Sequence, residues 1–198
     1  MVLPEGFLQI SNRVRNWGRW GDDDQLGTLN FITSEVVKNA AGCIKTGERF
    51  PLAVTLEKEG IQVGFIPGRI NPILEMISVD EPIDSEAGID SFHTSDDVVQ
   101  MGLQAATHWD GLCHASYNGL VYNGYPSETI TSDKGATRCG IENLRTVCSR
   151  GVLLDVARAK GVNVLDCPYA ITAEDLDDAA ALGNGEIKSG DIVLVRTG

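Results

Sequence analysis

An alternation of apolar runs in the last third of the chain constrains its fold more than any other sequence feature. Residues 151–157 and 191–195 are almost continuously apolar, as expected of buried strands. Between them, Thr172 to Asp175 resembles a capping box that begins a helix, and Gly183 follows the expected last turn of that helix. A strand, a helix and a second strand in this order predict a crossover unit, so we expect an α/β fold with a mixed sheet.

The rest of the chain predicts one further helix and three strands. Apolar residues at helical spacing follow two capping candidates, Thr33 and Ser34, and predict a helix that runs to about Lys45. The strand candidates are residues 50–56, 73–79 and 98–106.

A length of 198 residues predicts one domain, residues 1–198, in which roughly the first 30 residues form a loop-rich arm. The run Asp22 to Asp24 lacks the alternating oxygen ligands of a calcium loop, so we expect solvated or helix-preceding charge. The chain stops at Gly198, just after a buried-looking strand. Either this strand completes the fold at a sheet edge, or the natural chain is longer and the fold is incomplete at its C-terminus.

Charge and composition exclude several classes of partner. The chain has 16 Lys and Arg against 28 Asp and Glu, a net charge of −12, and its pI is near 4.6. An acidic surface repels phosphate backbones and anionic lipids, so we expect neither nucleic acid nor membrane as a partner. No apolar run is long enough to span a bilayer. Five scattered cysteines favour a reducing, cytoplasmic location over a disulfide framework.

Two of the three histidines, His108 and His114, fall within seven residues of each other in one segment, Gln104 to His114. If the segment is an extended strand, Gln104, His108 and Asp110 project to the same side. Imidazole nitrogen and carboxylate oxygen together suit a divalent ion such as Zn²⁺ or Mn²⁺. A structural hydrogen-bond cluster is the alternative interpretation of the same residues.

Gly111 permits a sharp turn that brings His114 back toward the same point, where a neutral imidazole can act as general base. His93 lies in a polar run and is expected to be a solvated loop residue, with a role as a distant metal ligand as the alternative.

Aromatic residues and a cysteine near this segment have two interpretations each. Tyr122 and Tyr125 are candidates for the wall of a substrate pocket, although packing in the core explains them equally well. Trp109 is a further candidate, for which packing in the core is the more common role. Cys113 is expected to be a buried, apolar residue, because adjacent side chains on a strand point apart and separate it from His114.

The segment Thr107-His-Trp-Asp-Gly-Leu-Cys-His114 resembles the cyclase family of metal-dependent hydrolases, which includes bacterial kynurenine formamidase and isatin hydrolase. The family pattern is His-x-Gly-Thr-His-x-Asp-x-Pro-x-His. Gln104 replaces its first histidine, Ala106 its glycine and Leu112 its proline. Further similarity to the larger-sized branch of the family lies in three other segments, residues 27–30, 68–72 and 188–198.

The resemblance implies a swivelling β/β/α fold and an amidohydrolase that cleaves a C–N bond, other than a peptide bond, in a small formamide or cyclic amide. It implies that His108 and Asp110, with Gln104, bind one divalent ion, Mn²⁺ or Zn²⁺, and that His114 is the catalytic base or a further ligand. Because an amide oxygen is a weaker ligand than imidazole, Gln104 predicts a lower affinity, a preference for Mn²⁺, or no metal.

We further expect a small-molecule substrate and a homodimer or homotetramer. Two alternatives remain open at this point. The same site suits a lactone hydrolase or a cyclising enzyme, and without metal the chain is a non-catalytic binding protein.

Overall fold

The structure is a computed structural model that describes residues 3–198, and these form four α-helices and six strands. In chain order the elements are α1 (Phe7–Val14), α2 (Ser34–Ala41), β1 (Ile73–Pro82), β2 (His93–Gln100), β3 (Ile130–Thr131), β4 (Gly135–Ala136), β5 (Gly151–Asp155), α3 (Val156–Ala159), α4 (Ala173–Leu182) and β6 (Ile192–Arg196). The α/β class predicted from the sequence is confirmed. None of the helices in the described part is long and apolar enough to cross a bilayer.

The strands of residues 3–198 pair into three separate two-stranded sheets. β1 pairs with β2 and β3 with β4 in antiparallel fashion, whereas β5 and β6 are parallel. The expected mixed sheet is therefore not found among these residues, because no backbone ladder joins the parallel pair to an antiparallel one. By contacts the chain divides into a first unit, residues 3–47 with 110–198, and a second unit, residues 48–109.

The predicted crossover unit forms the centre of the first unit. β5 and β6 are joined through α4 and run parallel, with Gly151 opposite Ile192 and Asp155 opposite Arg196. At the start of α4, the Thr172 hydroxyl accepts a hydrogen bond from the Asp175 N–H at 3.2 Å. The Asp175 carboxylate accepts one in return from the Thr172 N–H at 2.8 Å. The capping box and the end of the helix at Gly183 are both confirmed.

A small apolar core lies between this parallel pair and the helices. Val152 and Leu154 alternate along β5 toward α4 and are buried, as are Val156 and Ala179. The intervening Leu153 is more than half exposed, since it lies on the opposite face of the strand. The core is thus one-sided. The strand predicted over residues 151–157 is confirmed as far as Asp155, where α3 follows, and only one of its faces is buried.

Asp175 is a buried carboxylate whose charge is fully compensated. Besides the capping bond, it forms an ion pair with Lys160 and accepts a hydrogen bond from the Tyr169 hydroxyl at 3.0 Å. The Lys160 ammonium and the Thr172 N–H hold the pKa of Asp175 well below its usual range, even though burial alone would raise it. Asp175 therefore joins α3, α4 and the loop before α4 in its ionised form.

The helix predicted after Thr33 is confirmed as α2, although it ends at Ala41, earlier than the expected Lys45. The Thr33 hydroxyl accepts a hydrogen bond from the Val36 N–H at 3.3 Å and caps the helix.

The second unit is built around the antiparallel pair β1 and β2. Ile73 pairs with Gln100 and Pro82 with His93, with irregular register between Met76 and Glu81. The strand predicted over residues 73–79 is confirmed and is longer than expected.

One predicted strand in this unit is wrong, and another is confirmed only in part. Residues 50–56 form no ladder, and the Val54 N–H donates instead to the Thr107 hydroxyl at 2.8 Å. The strand expected over 98–106 ends at Gln100. Beyond it the Gly102 N–H bonds to the Ile70 carbonyl at 3.1 Å, and residues 103–105 form a 3₁₀ turn.

His93 is the first residue of β2 and not a solvated loop residue, which corrects the sequence interpretation. Its Nδ1 lies 2.8 Å from the Asp80 carbonyl oxygen, and its Nε2 lies 3.1 Å from that of Gly88. Since a carbonyl only accepts hydrogen bonds, both contacts are satisfied when both ring nitrogens carry a proton. The two carbonyls, with the Asp80 carboxylate, raise the pKa of His93.

Removing the hydroxyl of Thr172 should weaken the crossover unit. Thr172→Ala loses the N-cap bond to the Asp175 N–H, and we expect the free energy of unfolding in urea to fall by about 1 kcal/mol. Thr172→Ser keeps an accepting hydroxyl and serves as the matched control. Equal loss in both variants would contradict the assigned role of the cap.

The pKa of His93 should lie above its unperturbed value in the folded chain and return to about 6.5 in denaturant. Because the folded pKa is raised, the stabilisation by His93 is complete below the unfolded pKa and is lost as the pH rises through the folded one. NMR titration of the imidazole protons measures this shift. Asp80→Asn should lower the pKa of His93 only in part, because the backbone carbonyls of residues 80 and 88 remain. If the pKa of His93 returned fully to its unperturbed value in this variant, the carboxylate and not the carbonyls would be the cause of the shift.

Candidate functional site

The segment predicted to carry the chemistry runs from the second unit into the first, and the division falls between Trp109 and Asp110. Its backbone is not a strand: after the turn at residues 103–105 the chain continues without a ladder through Asp110. The prediction that strand alternation places Gln104, His108 and Asp110 on one face is therefore wrong.

In the second unit, the ring of His108 is oriented by its own backbone. Its Nδ1 lies 2.7 Å from the carbonyl oxygen of Ala106, two residues earlier. Because that oxygen can only accept, Nδ1 carries a proton, and in the neutral ring the lone pair belongs to Nε2. Histidines that bind metals are commonly held in this way, with the second ring nitrogen donating to a carbonyl.

The residues beside His108 are also held by specific contacts. The carbonyl of Gln104, which is partly buried, accepts a hydrogen bond from the Gln62 side chain. The Thr107 hydroxyl accepts a hydrogen bond from the Val54 N–H at 2.8 Å. The side chain of Trp109 is 54% exposed, so it is not a core residue, which was one of the two roles considered for it.

In the first unit, Asp110 to His114 form the turn that Gly111 predicted. The His114 N–H donates to the Gly111 carbonyl at 2.9 Å, and the His114 Nδ1 lies 3.8 Å from Oδ1 of Asp110. Both side chains are about half exposed. The turn thus brings the imidazole toward the carboxylate, with both groups accessible to a ligand.

Close backbone packing fixes this turn. The Cys113 N–H donates to the Cys139 carbonyl at 3.1 Å. A Cβ atom on Gly111 would lie 2.8 Å from the Ile141 nitrogen and 3.0 Å from the Cys139 oxygen, closer than a side chain can approach backbone atoms. Glycine is required here by this approach. Cys113 is partly exposed, which corrects the expectation that it is buried, whereas Cys139 is buried and its thiol pKa is raised to about 11 by desolvation.

Tyr122 is anchored by a carboxylate that the sequence interpretation missed. Its hydroxyl donates to Oδ2 of Asp24 at 2.7 Å, and Asp24 also accepts from the Gly27 N–H at 2.9 Å and from the Asn30 amide at 2.6 Å. Burial alone would raise the pKa of Asp24, but the hydrogen bonds from Tyr122, Asn30 and Gly27 lower it. Burial and the Asp24 charge raise the pKa of Tyr122, so its hydroxyl stays protonated.

A single amide holds the loop that carries Asp24. Asn123, in the left-handed conformation at φ 60°, accepts from the Gly18 N–H at 2.7 Å. Its amide group donates to the carbonyl oxygens of Gly21, Asp22 and Asp24 at 3.0–3.1 Å. The Tyr125 hydroxyl adds a bond to the Asp22 carbonyl at 3.2 Å. Only the Asn123-Gly124 turn signal was visible in the sequence; the long-range clamp was not.

The segment offers side chains of the types that bind divalent ions, but fewer of them than a catalytic metal site usually has. His108 offers an oriented imidazole and Asp110 a carboxylate, which are suitable ligands for Zn²⁺ or Mn²⁺. A catalytic site usually has three protein ligands. Within residues 3–198, no group of three or more His, Cys, Asp or Glu side chains is arranged to hold a metal.

Comparison with known proteins gives a consistent result. The family model described as "Putative cyclase" matches residues 28–198. Among solved structures, a crystal structure of a novel cyclase shares 39% sequence identity with a TM-score of 0.82. The alignment covers 94% of this chain and 62% of that chain, so this chain spans less than two thirds of its length. No curated protein shows a significant match.

Adding a methyl group at Gly111 should displace the Asp110–His114 turn. In Gly111→Ala the new Cβ overlaps the backbone of Cys139 and Ile141, and we expect a loss of about 1–3 kcal/mol in the free energy of unfolding. Gly151→Ala is the matched control, because its Cβ would meet only Leu194 at an ordinary 3.6 Å. Urea unfolding measures both, and similar effects of the two substitutions would contradict the role given to the close approach.

Proposed function

The chain belongs to the cyclase family, and from this premise we propose that it is a metal-dependent hydrolase of a small formamide or cyclic amide. The bond cleaved is a C–N bond other than a peptide bond. His108 and Asp110, with Gln104 as a neutral third ligand, are the proposed metal ligands, and His114 is the proposed catalytic base. Trp109 and Tyr122 remain candidates for the wall of the substrate pocket.

One observation supports this proposal above the others: the Nδ1–H of His108 is committed to the Ala106 carbonyl. This contact fixes the tautomer that presents Nε2 as an electron-pair donor, the state in which imidazole binds a metal. The exposed Trp109 beside His108 also supports a ligand-facing segment.

The proposed roles of the side chains follow from their chemistry. A bound divalent ion supplies positive charge that lowers the pKa of water and polarises a carbonyl group. His114 accepts the proton of the attacking water and later returns it to the leaving nitrogen. Asp110, 3.8 Å from the His114 ring, stabilises the imidazolium that forms between these two transfers. The proton thus passes through His114 alone.

Tyr122 has a different place in the proposal. Its hydroxyl already donates to Asp24, and the raised pKa keeps it a donor at neutral pH. It is therefore proposed as a pocket wall and not as an acid or base.

A second candidate function is a non-catalytic binding protein of the same family. The specific observation that favours it is Gln104, which stands where the family pattern has a histidine, together with the lack of a three-residue ligand cluster in residues 3–198. A lactone hydrolase or cyclising enzyme would use the same residues and differ only in substrate.

Metal binding separates these candidates. Isothermal titration of the metal-free chain with Mn²⁺ and with Zn²⁺ should show one bound ion, and His108→Ala should weaken its affinity more than 100-fold, because an oriented imidazole is lost. His93→Ala is the control, since both nitrogens of that ring bond to carbonyls. Absence of binding would favour the non-catalytic protein, and unchanged affinity in His108→Ala would refute the ligand assignment.

Catalysis is tested separately on the metal-loaded chain. With formamides, isatin-like lactams and lactones as substrates, His114→Gln should lower kcat by about 10²–10⁴-fold, the usual contribution of a general base. The affinity for metal should be retained. Loss of metal together with activity would make His114 a ligand instead, and turnover of lactones alone would select the alternative substrate class.

A further inference from the structure

The segment of residues 24–30 lies directly against the Asp110–His114 turn. Its buried residue Gly27 has φ at +58°, a conformation that favours glycine. A Cβ atom on Gly27 would lie 3.3 Å from Cδ1 of Leu112 and 3.4 Å from Cζ of Tyr122. A side chain at position 27 would therefore press on Leu112, at the middle of the turn, and on the Tyr122 ring.

A second contact from the same segment holds the backbone on which the turn is packed. Oε1 of Gln25 accepts a hydrogen bond from the Cys139 N–H at 2.7 Å. The Cys139 carbonyl in turn accepts the bond from the Cys113 N–H at 3.1 Å. The segment thus supports the turn at two points, directly through Gly27 and indirectly through Cys139.

One carboxylate, that of Asp24, fixes the conformation of this segment. Its Oδ2 accepts hydrogen bonds from the Gly27 N–H at 2.9 Å and from the Tyr122 hydroxyl at 2.7 Å. Its Oδ1 accepts one from the Asn30 amide at 2.6 Å, and the same amide nitrogen donates to the Gly27 carbonyl at 2.9 Å. Because all three partners of Asp24 are donors, an amide at position 24 would set its own NH₂ group against one of them.

We propose that Asp24 is a positioning residue for His114, the proposed catalytic base. Asp24 acts through Gly27, which holds Leu112 and with it the turn. The role of His114 rests on the proposed function, whereas the placement of the turn by Asp24 does not. A displacement of about 1 Å costs on the order of 10²-fold in rate, so Asp24 contributes to kcat and not to substrate binding.

Amide hydrogen exchange of the metal-free chain tests the placement of the turn without reference to activity. Asp24→Asn should speed exchange of the Cys113 and Cys139 N–H groups by about tenfold or more, because both bonds depend on the 24–30 segment. Asp155→Asn is the matched control. The Asp155 carboxylate belongs to the same unit and accepts from the Arg196 guanidinium at 2.7 Å and the Arg158 N–H at 3.0 Å. Unchanged exchange in Asp24→Asn, or equal acceleration in both variants, would overturn the proposal.

Gly27→Ala perturbs the same contact from the backbone and does not depend on the folding of Asp24→Asn. The new methyl group should displace Leu112, so the two amides should again exchange faster by about tenfold or more. Gly161→Ala is the control, because φ at +72° imposes comparable strain and its Cβ would meet no atom within 4 Å among the described residues beyond its neighbours in the chain. The same acceleration in Gly161→Ala would assign the effect to backbone strain and overturn the role of the contact.

Kinetics of the metal-loaded chain test the consequence for catalysis. With a formamide as substrate and rates normalised to the folded fraction, Asp24→Asn should lower kcat by about 10–100-fold. KM should stay within about threefold, since the base is displaced and the contacts to substrate are kept. Asp155→Asn should leave both constants unchanged. An unchanged kcat in Asp24→Asn would overturn the positioning role. A parent chain that turns over none of the substrates would instead refute the proposed function, and amide exchange would still decide whether Asp24 places the turn.

Discussion

The close approach of Gly111 to the backbone of residues 139–141 is the constraint on which the Asp110–His114 turn of the first unit depends. It leaves no room for a Cβ atom, and together with the Cys113–Cys139 hydrogen bond it holds the turn against a segment nearly thirty residues away. Asp110 stands before this fixed point and His114 after it. Backbone packing thus brings the two residues together, and their side chains lie 3.8 Å apart, where the attraction between half-exposed groups is weak.

Two other carboxylates show how the first unit stabilises charged groups that are shielded from solvent. Asp175 is buried and Asp24 partly so, and each accepts at least three hydrogen bonds or ion-pair contacts. Such groups are tolerated only when hydrogen bonds compensate for the lost hydration. In both, the hydrogen bonds outweigh desolvation and lower the pKa. Asp175 stabilises the crossover unit, whereas Asp24 anchors Tyr122 beside the turn.

Local signals in the sequence were sufficient for some of these features. The capping box at Thr172, the cap at Thr33 and the turn at Gly111 depend on residues within a few positions of each other, and all three were predicted. The strand expected at 50–56 failed because alternation cannot reveal a missing partner, and Val54 bonds to a side chain instead. Asp24 was missed for the same reason, since its partner Tyr122 lies 98 residues away. The swivelling fold and the metal site remain predictions.

The two histidines of the proposed site differ in what determines their chemistry. His108 receives its tautomer from the Ala106 carbonyl, two residues away, so this property is encoded in the local backbone. The position of His114 relies on residues 139–141, so it responds to any change in that distant segment. Both a metal ligand and a base must be placed to within about 0.5 Å, and a histidine ligand must in addition have the right tautomer before the ion arrives. Local encoding suits the choice of tautomer, and long-range packing against rigid backbone suits the placement.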